Sequence, residues 1–255
     1  MFKTGIVSVT FRQKSIDEII TLAKESGLCA IEVGSDVHAP RENLAECRRI
    51  ADLAKEAEIA IASYGSYYRL GQGESFDEYI EAAKALGAPN IRIWAGAKGS
   101  ASVDEETRAA LTADAVRCAE AAAKAGITLS FEYHGGTLTD TSESALRLMR
   151  EMAHPNAYLY WQPNQYKDID FNLASLRAAL PYVSNIHVFA WDARSTSNIR
   201  YPLADHAGIW KEYLDILAED GRPHNLLMEF VKDDADDAFV SDAKTLKEWV
   251  KHYAV

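Results

Sequence analysis

The chain has 255 residues, of which 48% are hydrophobic and 25% charged, as is typical of a soluble globular protein. Its 27 basic and 38 acidic residues give a net charge of −11, which argues against a nucleic-acid-binding protein. The three cysteines form no CxxC motif, so we expect free thiols in a reducing compartment. Because no apolar run approaches the roughly 18 residues of a membrane span, we expect a cytoplasmic protein without a membrane partner.

Short apolar segments alternate with longer segments of helical periodicity along the whole sequence. The predicted strands are residues 5–10, 29–33, 59–64, 91–94, 127–133, 158–162, 185–189 and 226–230. The predicted helices are residues 15–26, 41–57, 76–86, 103–125, 143–152, 172–180, 210–219 and 237–252. Ser15 and Glu18 have the spacing of a capping box at the start of the first helix. Gly27, Gly87 and Gly126 follow helical patterns directly, where a positive φ is often needed.

Eight successive strand-then-helix units are typical of an α/β protein built as a single (β/α)8 TIM barrel, which we assign to residues 1–255 as one domain. A doubly wound open sheet is the alternative, but it usually has fewer strands and a glycine-rich first turn. The first turn of this chain, TFRQK at residues 10–14, contains no glycine. The pattern therefore favours the barrel.

Polar residues recur at inward-facing positions near the ends of the last four predicted strands. In ITLSFEYH, residues 127–134, the apolar side chains alternate with Ser130, Glu132 and other polar ones. The same alternation turns Gln162, His187 and Glu229 inward on the three strands that follow. Neighbouring strands lie about 4.8 Å apart. We therefore expect Glu132, Gln162, His187 and Glu229 to converge at the carboxyl end of the barrel, where barrel enzymes carry their active sites.

Two inward carboxylates need a compensating positive charge, because an unpaired buried charge is costly. No lysine or arginine faces inward on predicted strands 5 to 8, and Arg92 on strand 4 is the nearest candidate. A divalent metal held by two carboxylates and an imidazole would supply the compensating positive charge. This mixed set of oxygen and nitrogen ligands suits Mn²⁺, Mg²⁺, Co²⁺ or Zn²⁺.

At these residues the chain resembles the xylose isomerase-like barrel superfamily of sugar isomerases and epimerases, which includes ketose 3-epimerases, hydroxypyruvate isomerases and inosose dehydratases. The resemblance covers nearly the whole chain. Its markers are AIEV at 30–33, FEYHGGTL at 131–138, IHV at 186–188 with Asp192, and MEF at 228–230. The order and spacing of these markers are fairly specific for the superfamily and weak for any substrate.

The resemblance implies a divalent metal held by Glu, Asp, His and Glu from strands 5 to 8. Glu132, His187 and Glu229 match by position and type. Gln162 stands at the Asp position and Gln165 at that of the His that usually follows three residues later. The other register would use residues 161 and 164, which the alternation disfavours. An amide oxygen can still ligate a hard cation, but the loss of one negative charge implies weaker metal binding.

The chemistry that the resemblance implies is proton transfer beside a carbonyl group through an enediolate, with Glu132 and Glu229 as the catalytic residues. Return of the proton to the opposite face of the same carbon gives epimerisation, and return to the neighbouring carbon gives isomerisation. Loss of a β-substituent from the same intermediate gives dehydration or lyase chemistry, which is the alternative function.

A small carbohydrate is the expected partner. The oligomeric state is left open, with a homo-oligomer as a candidate because family members are often dimers or tetramers. The candidate substrate-binding residues are His134, Arg200, Glu32 and Trp94. Lys98 and Arg69 lie in mouth loops, where they could meet an anionic substrate.

Two further functions are compatible with a barrel of this kind. A DNA-repair endonuclease of the same superfamily would need a zinc cluster with more histidines and a basic face, which the net charge of −11 argues against. A sugar-binding barrel without catalytic metal is the last alternative. Metal content after purification would distinguish it from an enzyme.

Overall fold

In a computed structural model of the protein, which describes residues 2–194 and 198–253, eight main strands alternate with eight α-helices. The strands are β1 (Phe2–Val7), β2 (Ala30–Gly34), β3 (Ala60–Arg69), β4 (Asn90–Trp94), β5 (Thr128–Glu132), β6 (Ala157–Trp161), β7 (Val183–Val188) and β8 (His224–Met228). The helices are α1 (Ile16–Glu25), α2 (Leu44–Glu56), α3 (Phe76–Leu86), α4 (Glu105–Lys124), α5 (Ser142–Met152), α6 (Ile169–Ala179), α7 (Ala207–Ala218) and α8 (Asp236–Lys251).

The eight strands close into one barrel in the order β1-β8-β7-β6-β5-β4-β3-β2, and every neighbouring pair is parallel. Because all strands run in one direction, their carboxyl ends meet at the same mouth. The predicted (β/α)8 barrel is therefore confirmed. The large apolar core fills the layer between the strands and the surrounding helices. None of the helices in the two described ranges combines the length and apolarity needed to cross a bilayer.

Local sequence signals account for several element boundaries. Ser15 accepts a hydrogen bond from the backbone of Glu18, and the Glu18 side chain accepts one from the backbone of Ser15, so the predicted capping box is present. Gly27, Gly87 and Gly126 have φ values of 70°, 72° and 72°, as predicted for positions after helices.

Five strands end one to three residues earlier than predicted; they are β1, β5, β6, β7 and β8. The largest of these differences is in β1, which ends at Val7 because a 3-10 turn, Ser8–Phe11, follows it. The ends of β8 and β6 have a physical cause. β8 ends at Met228 rather than at residue 230, because Phe230 adopts a φ of +55° that is incompatible with an extended strand. β6 ends at Trp161 rather than at residue 162, since the following Pro163 has no N–H with which to continue the ladder. Gln162 and Glu229 are therefore the first residues beyond their strands.

Two features near the mouth were missed by the sequence patterns. β3 continues to Arg69, five residues beyond its predicted end, and includes a break in register and a φ of +56° at Tyr67. A short antiparallel pair joins Trp191–Asp192 to Ile199–Arg200 after β7. The register break in β3 is of the kind that is common beside active sites, where bulges re-aim side chains.

Candidate active site

Four polar side chains reach the mouth from neighbouring strands, as the alternation predicted. Glu132 is the last residue of β5, and His187 is the second-last residue of β7. Gln162 and Glu229 directly follow β6 and β8. The adjacent apolar side chains face the opposite way and pack in the outer core; they are Phe131, Trp161, Ile186 and Met228.

The ring atom Nδ1 of His187 is the point on which these side chains converge. It lies 2.9 Å from Oε1 of Gln162, 3.4 Å from Oε2 of Glu229 and 3.8 Å from Oε1 of Glu132. The Nε2 atom of Gln162 donates to the backbone oxygen of Tyr133 at 2.6 Å and lies 3.3 Å from Oε1 of Glu132. These bonds fix the amide so that its oxygen faces the histidine.

Arg92, the nearest candidate counter-charge in the sequence, pairs with Glu132 of the two inward glutamates, and its second partner is Glu32 rather than Glu229. Its side chain is 2% exposed, with Nη1 donating to Glu132 and Nε donating to Oε1 of Glu32 at 2.9 Å. Burial opposes the charge on Arg92, but Glu132 and Glu32 outweigh it and raise the pKa of Arg92 well above its usual range. The guanidinium therefore stays charged inside the barrel.

Glu32 lies beneath the mouth, fully buried, and is absent from the described lining of the cavity. Burial opposes ionisation of Glu32, yet Arg92 and then His187 outweigh it and lower the pKa of Glu32 to about 2. Its Oε1 atom lies 3.6 Å from Nε2 of His187. This placement assigns Glu32 to the support of Arg92 and His187, and its predicted contact with substrate stays a prediction.

Burial disfavours the charged forms of both His187 and Glu229, so by itself it lowers the pKa of the histidine and raises the pKa of the glutamate. It opposes the charge of His187, but the nearby carboxylates of Glu229 and Glu32 outweigh it and raise the pKa of His187. For Glu229, burial is the largest effect and raises its pKa against the attraction of His187. Phe230, held in its left-handed conformation by a bond from its N–H to Oγ1 of Thr10, turns the chain directly after Glu229.

A cavity of about 500 Å³ opens at this mouth. Its lining includes Arg92, Trp94, Glu132, Gln162 and Glu229, together with His134, Gln165, Tyr166 and Phe171. This volume lies within the range of typical small-molecule sites. His187 is not part of the described lining, but it contacts Gln162 and Glu229, which are. Arg200 lies at the rim, where its Nη1 pairs with Asp234 at 2.5 Å. The role of Arg200 in substrate binding stays a prediction.

The donor set at the mouth matches a divalent cation in ligand type, because it combines carboxylate and amide oxygens with an imidazole nitrogen. A metal bound at about 2.1 Å separates adjacent ligand atoms by roughly 3.0 to 3.4 Å, close to the separations around Nδ1 of His187. The buried Nε2 of His187, Oε2 of Glu32 and hydroxyl of Tyr160 have no hydrogen-bond partner among the described residues, so this centre is rich in unused polar atoms.

These side chains do not, however, form a ready-made cage. Within residues 2–194 and 198–253, no group of three His, Cys, Asp or Glu side chains is arranged as a metal site. Glu132 is paired with Arg92, and Gln162 takes the place of an acidic ligand. The residues therefore fit a cation only after the Gln162–His187 bond opens, and the oxygen of Glu132 that faces this centre is Oε1, which Arg92 does not bind.

Two residues that support this site were not singled out from the sequence. Tyr160 lies inside the barrel with its ring 4.6 Å from that of His187, and the alternation on β6 would have placed it inward. Gly65 on β3 leaves room for the ion pair, because a β-carbon there would lie 2.7 Å from Oε1 of Glu32 and 2.8 Å from Nη2 of Arg92. No sequence pattern indicates such a close approach.

Comparison with known families gives one match over most of the chain. The sequence model of the family described as xylose isomerase-like TIM barrel matches residues 20–249. This segment includes all four converging side chains and Arg92.

One curated relative is a 3-dehydroshikimate dehydratase from Bacillus anthracis, with 28% identity over 166 residues. The match covers 60% of this chain and 59% of the relative, so the chain spans well under two thirds of that protein's length.

Three solved structures share the fold at low sequence identity. The probable 3-DHS dehydratase AsbF from Bacillus anthracis, involved in petrobactin synthesis, has a TM-score of 0.78 and 20% identity, covering 97% of this chain and 99% of its own. The IOLI protein with a binding zinc atom has a TM-score of 0.76 and 15% identity, with 99% of both chains covered. An L-ribulose 3-epimerase has a TM-score of 0.69 and 17% identity, covering 99% and 96%.

Proposed function

Because the chain belongs to the xylose isomerase-like TIM barrel family, we propose that it is a divalent-metal-dependent isomerase or epimerase of a sugar or keto-sugar derivative. The observation that carries the proposal is the convergence of Glu132 and Glu229 on His187 at the floor of the cavity. Two carboxylates facing one cavity can remove a proton beside a carbonyl group and return it. Neutral amides and hydroxyls in the lining suit a carbohydrate substrate.

Glu132, Gln162, His187 and Glu229 are the proposed ligands of Mn²⁺, Mg²⁺, Co²⁺ or Zn²⁺. When bound, such a cation supplies Lewis-acid stabilisation of the negative charge that develops on the carbonyl oxygen. The zinc in the structure of the IOLI protein supports a metal in this fold family. Arg92, which lines the same cavity and stays charged, can stabilise a developing oxyanion from the protein side.

One glutamate removes the proton, and the other delivers a proton to the enediolate. If the proton returns to the same carbon from the opposite face, the product is an epimer. If it goes to the neighbouring carbon, the product is an isomer. Epimerisation needs Glu132 and Glu229 on opposite faces of the reacting carbon, whereas isomerisation can proceed with one glutamate that moves the proton between neighbouring carbons on one face.

A dehydratase or lyase acting on a keto-sugar or related keto compound is the second candidate. The 28% identity with a 3-dehydroshikimate dehydratase favours it. The first steps are shared, but the enolate then expels a β-hydroxyl group, and one of the two glutamates would protonate the leaving group.

Hydrogen exchange tests the shared first step. The full chain is incubated in D₂O with Mn²⁺ and separately with ketopentoses, ketohexoses, ketoinositols and 3-dehydroshikimate, and deuterium beside the carbonyl is followed by NMR. We expect exchange with at least one compound, and its loss in Glu132→Gln and Glu229→Gln. Loss of water, detected by mass spectrometry, would select the dehydratase. Absence of exchange and of turnover across the panel would contradict the proposed function.

A further inference from the structure

Both faces of the Trp94 indole are covered by other side chains. The guanidinium carbon of Arg69 lies 3.6 Å from the ring centroid. The imidazole of His134 stacks on the same indole with 4.3 Å between centroids and 22° between planes. Two groups this close to one ring cannot share a face, so the indole is held between Arg69 and His134. Trp94 therefore has no open face on which a sugar ring could stack.

The edge of the indole points at the catalytic carboxylate. The Nε1–H of Trp94 donates to Oε2 of Glu132, and Nη1 of Arg92 donates to the same oxygen. The other oxygen of Glu132, Oε1, is directed towards Gln162 and His187. One oxygen is thus anchored by two donors, while the second faces the converging side chains.

We propose that Trp94 is a positioning residue for Glu132, a role that rests on the proposed function of this site. Rotation about the last bond of a glutamate side chain exchanges its two oxygens. Because these oxygens are equivalent, the two donors, Trp94 and Arg92, act by holding this rotation in place, so that the second oxygen stays directed towards Gln162 and His187. Arg69 and His134 hold the indole in the plane that this bond requires. Such preorganisation accelerates proton transfer without adding any contact to the substrate.

The resting protein provides the first test, which needs no substrate. The five tryptophans are labelled with ¹⁵N, and the indole signal of Trp94 is assigned by its loss in Trp94→Phe. A bond to a carboxylate places this proton well downfield of the other four. We expect Glu132→Gln to move it upfield, and Glu229→Gln, a matched change outside this contact, to leave it in place. A Trp94 signal among the others that does not respond to Glu132→Gln would overturn the proposal.

Kinetics with a compound that undergoes exchange provides the second test. Trp94→Phe keeps an aromatic ring between Arg69 and His134 but removes the N–H. We expect kcat to fall roughly ten- to a hundredfold while KM changes by less than about twofold. An unchanged kcat would overturn the positioning role even if the enzyme is an isomerase. If no compound exchanges, the proposed function fails, while the response of the indole signal to Glu132→Gln still decides whether Trp94 holds Glu132.

Discussion

The Nδ1–H of His187 donates to the amide oxygen of Gln162 over 2.9 Å. A metal would have to replace this hydrogen at Nδ1, since a nitrogen ligand binds the cation through its lone pair. The superfamily that the chain resembles usually carries an aspartate where Gln162 stands. Gln162 is therefore a weaker metal ligand than an aspartate. Its bond to His187 also occupies Nδ1, the atom at which the metal would bind.

Replacing Gln162 by glutamate should tighten metal binding. The change adds one negative charge at the same side-chain length, and more ligand charge raises the affinity for a divalent cation. We expect the Kd for Mn²⁺, measured by calorimetry, to fall about tenfold, or about 1.4 kcal/mol. Gln165→Glu alters the same cavity outside the proposed ligands and should change the Kd much less. Equal effects of the two changes would argue against Gln162 as a ligand.

Without metal, Gln162→Glu should lower the melting temperature, because the new carboxylate faces Glu132 and cannot donate to the backbone oxygen of Tyr133. Mn²⁺ should then raise the melting temperature of this variant more than that of the wild type. If the variant melts at the same temperature as the wild type, both with and without Mn²⁺, then residue 162 does not interact with Glu132 or with the metal.

Gly65→Ala should destabilise the fold strongly. Its new β-carbon would lie 2.7 Å from Oε1 of Glu32 and 2.8 Å from Nη2 of Arg92, so the buried ion pair would have to separate. Breaking a buried pair costs about 3 to 5 kcal/mol. Urea denaturation measures this loss. Gly208→Ala is the control, because no atom lies within 4 Å of its added β-carbon in helix α7. Similar stabilities of the two variants would mean that the barrel interior adapts to the added methyl group.

Asp242 should make the fold less stable as the pH rises from 4 to 7. Burial raises the pKa of Asp242 from its ordinary 3.8 to about 6, so between these values the folded chain holds a proton that the unfolded chain has released. The cost is complete above pH about 6, and we expect it to be on the order of 2 kcal/mol.

Asp242→Asn removes this ionisation and can keep the bond from the N–H of Leu203, which Oδ1 of Asp242 accepts at 2.8 Å. By urea denaturation, the variant should be more stable than the wild type at pH 7, and the difference should shrink towards pH 4.5. Asp52→Asn, on the exposed side of α2, should give no such trend. A difference that is constant with pH would refute the assignment to Asp242.

The repeating pattern of the chain was sufficient to predict the barrel and the inward direction of its polar residues. Glu132 and His187 could be placed because strand alternation depends only on neighbouring residues. The positions of Gln162 and Glu229 just beyond their strands depended on Pro163 and on the left-handed backbone of Phe230, and only the former is visible in the sequence.

Contacts between distant segments could not be predicted. The stack of Arg69, Trp94 and His134 joins three different strand ends, so no local pattern announces it. For the same reason, the sequence shows Trp94 only as a candidate substrate-binding residue and does not reveal that its indole N–H is bonded to Glu132. The fit of Gly65 against Glu32 is likewise a property of the closed barrel.

Glu132, Gln162, His187 and Glu229 are proposed to hold one divalent cation together. Titration of the metal-free full chain with Mn²⁺, followed by electron paramagnetic resonance, tests this proposal most directly. We expect one ion per wild-type chain, binding at least about tenfold weaker in Glu132→Gln and Glu229→Gln, and little change in Asp36→Asn, an exposed carboxylate outside the proposed ligands. A wild-type chain that binds no Mn²⁺, or that binds it equally well in all three variants, would contradict the proposal.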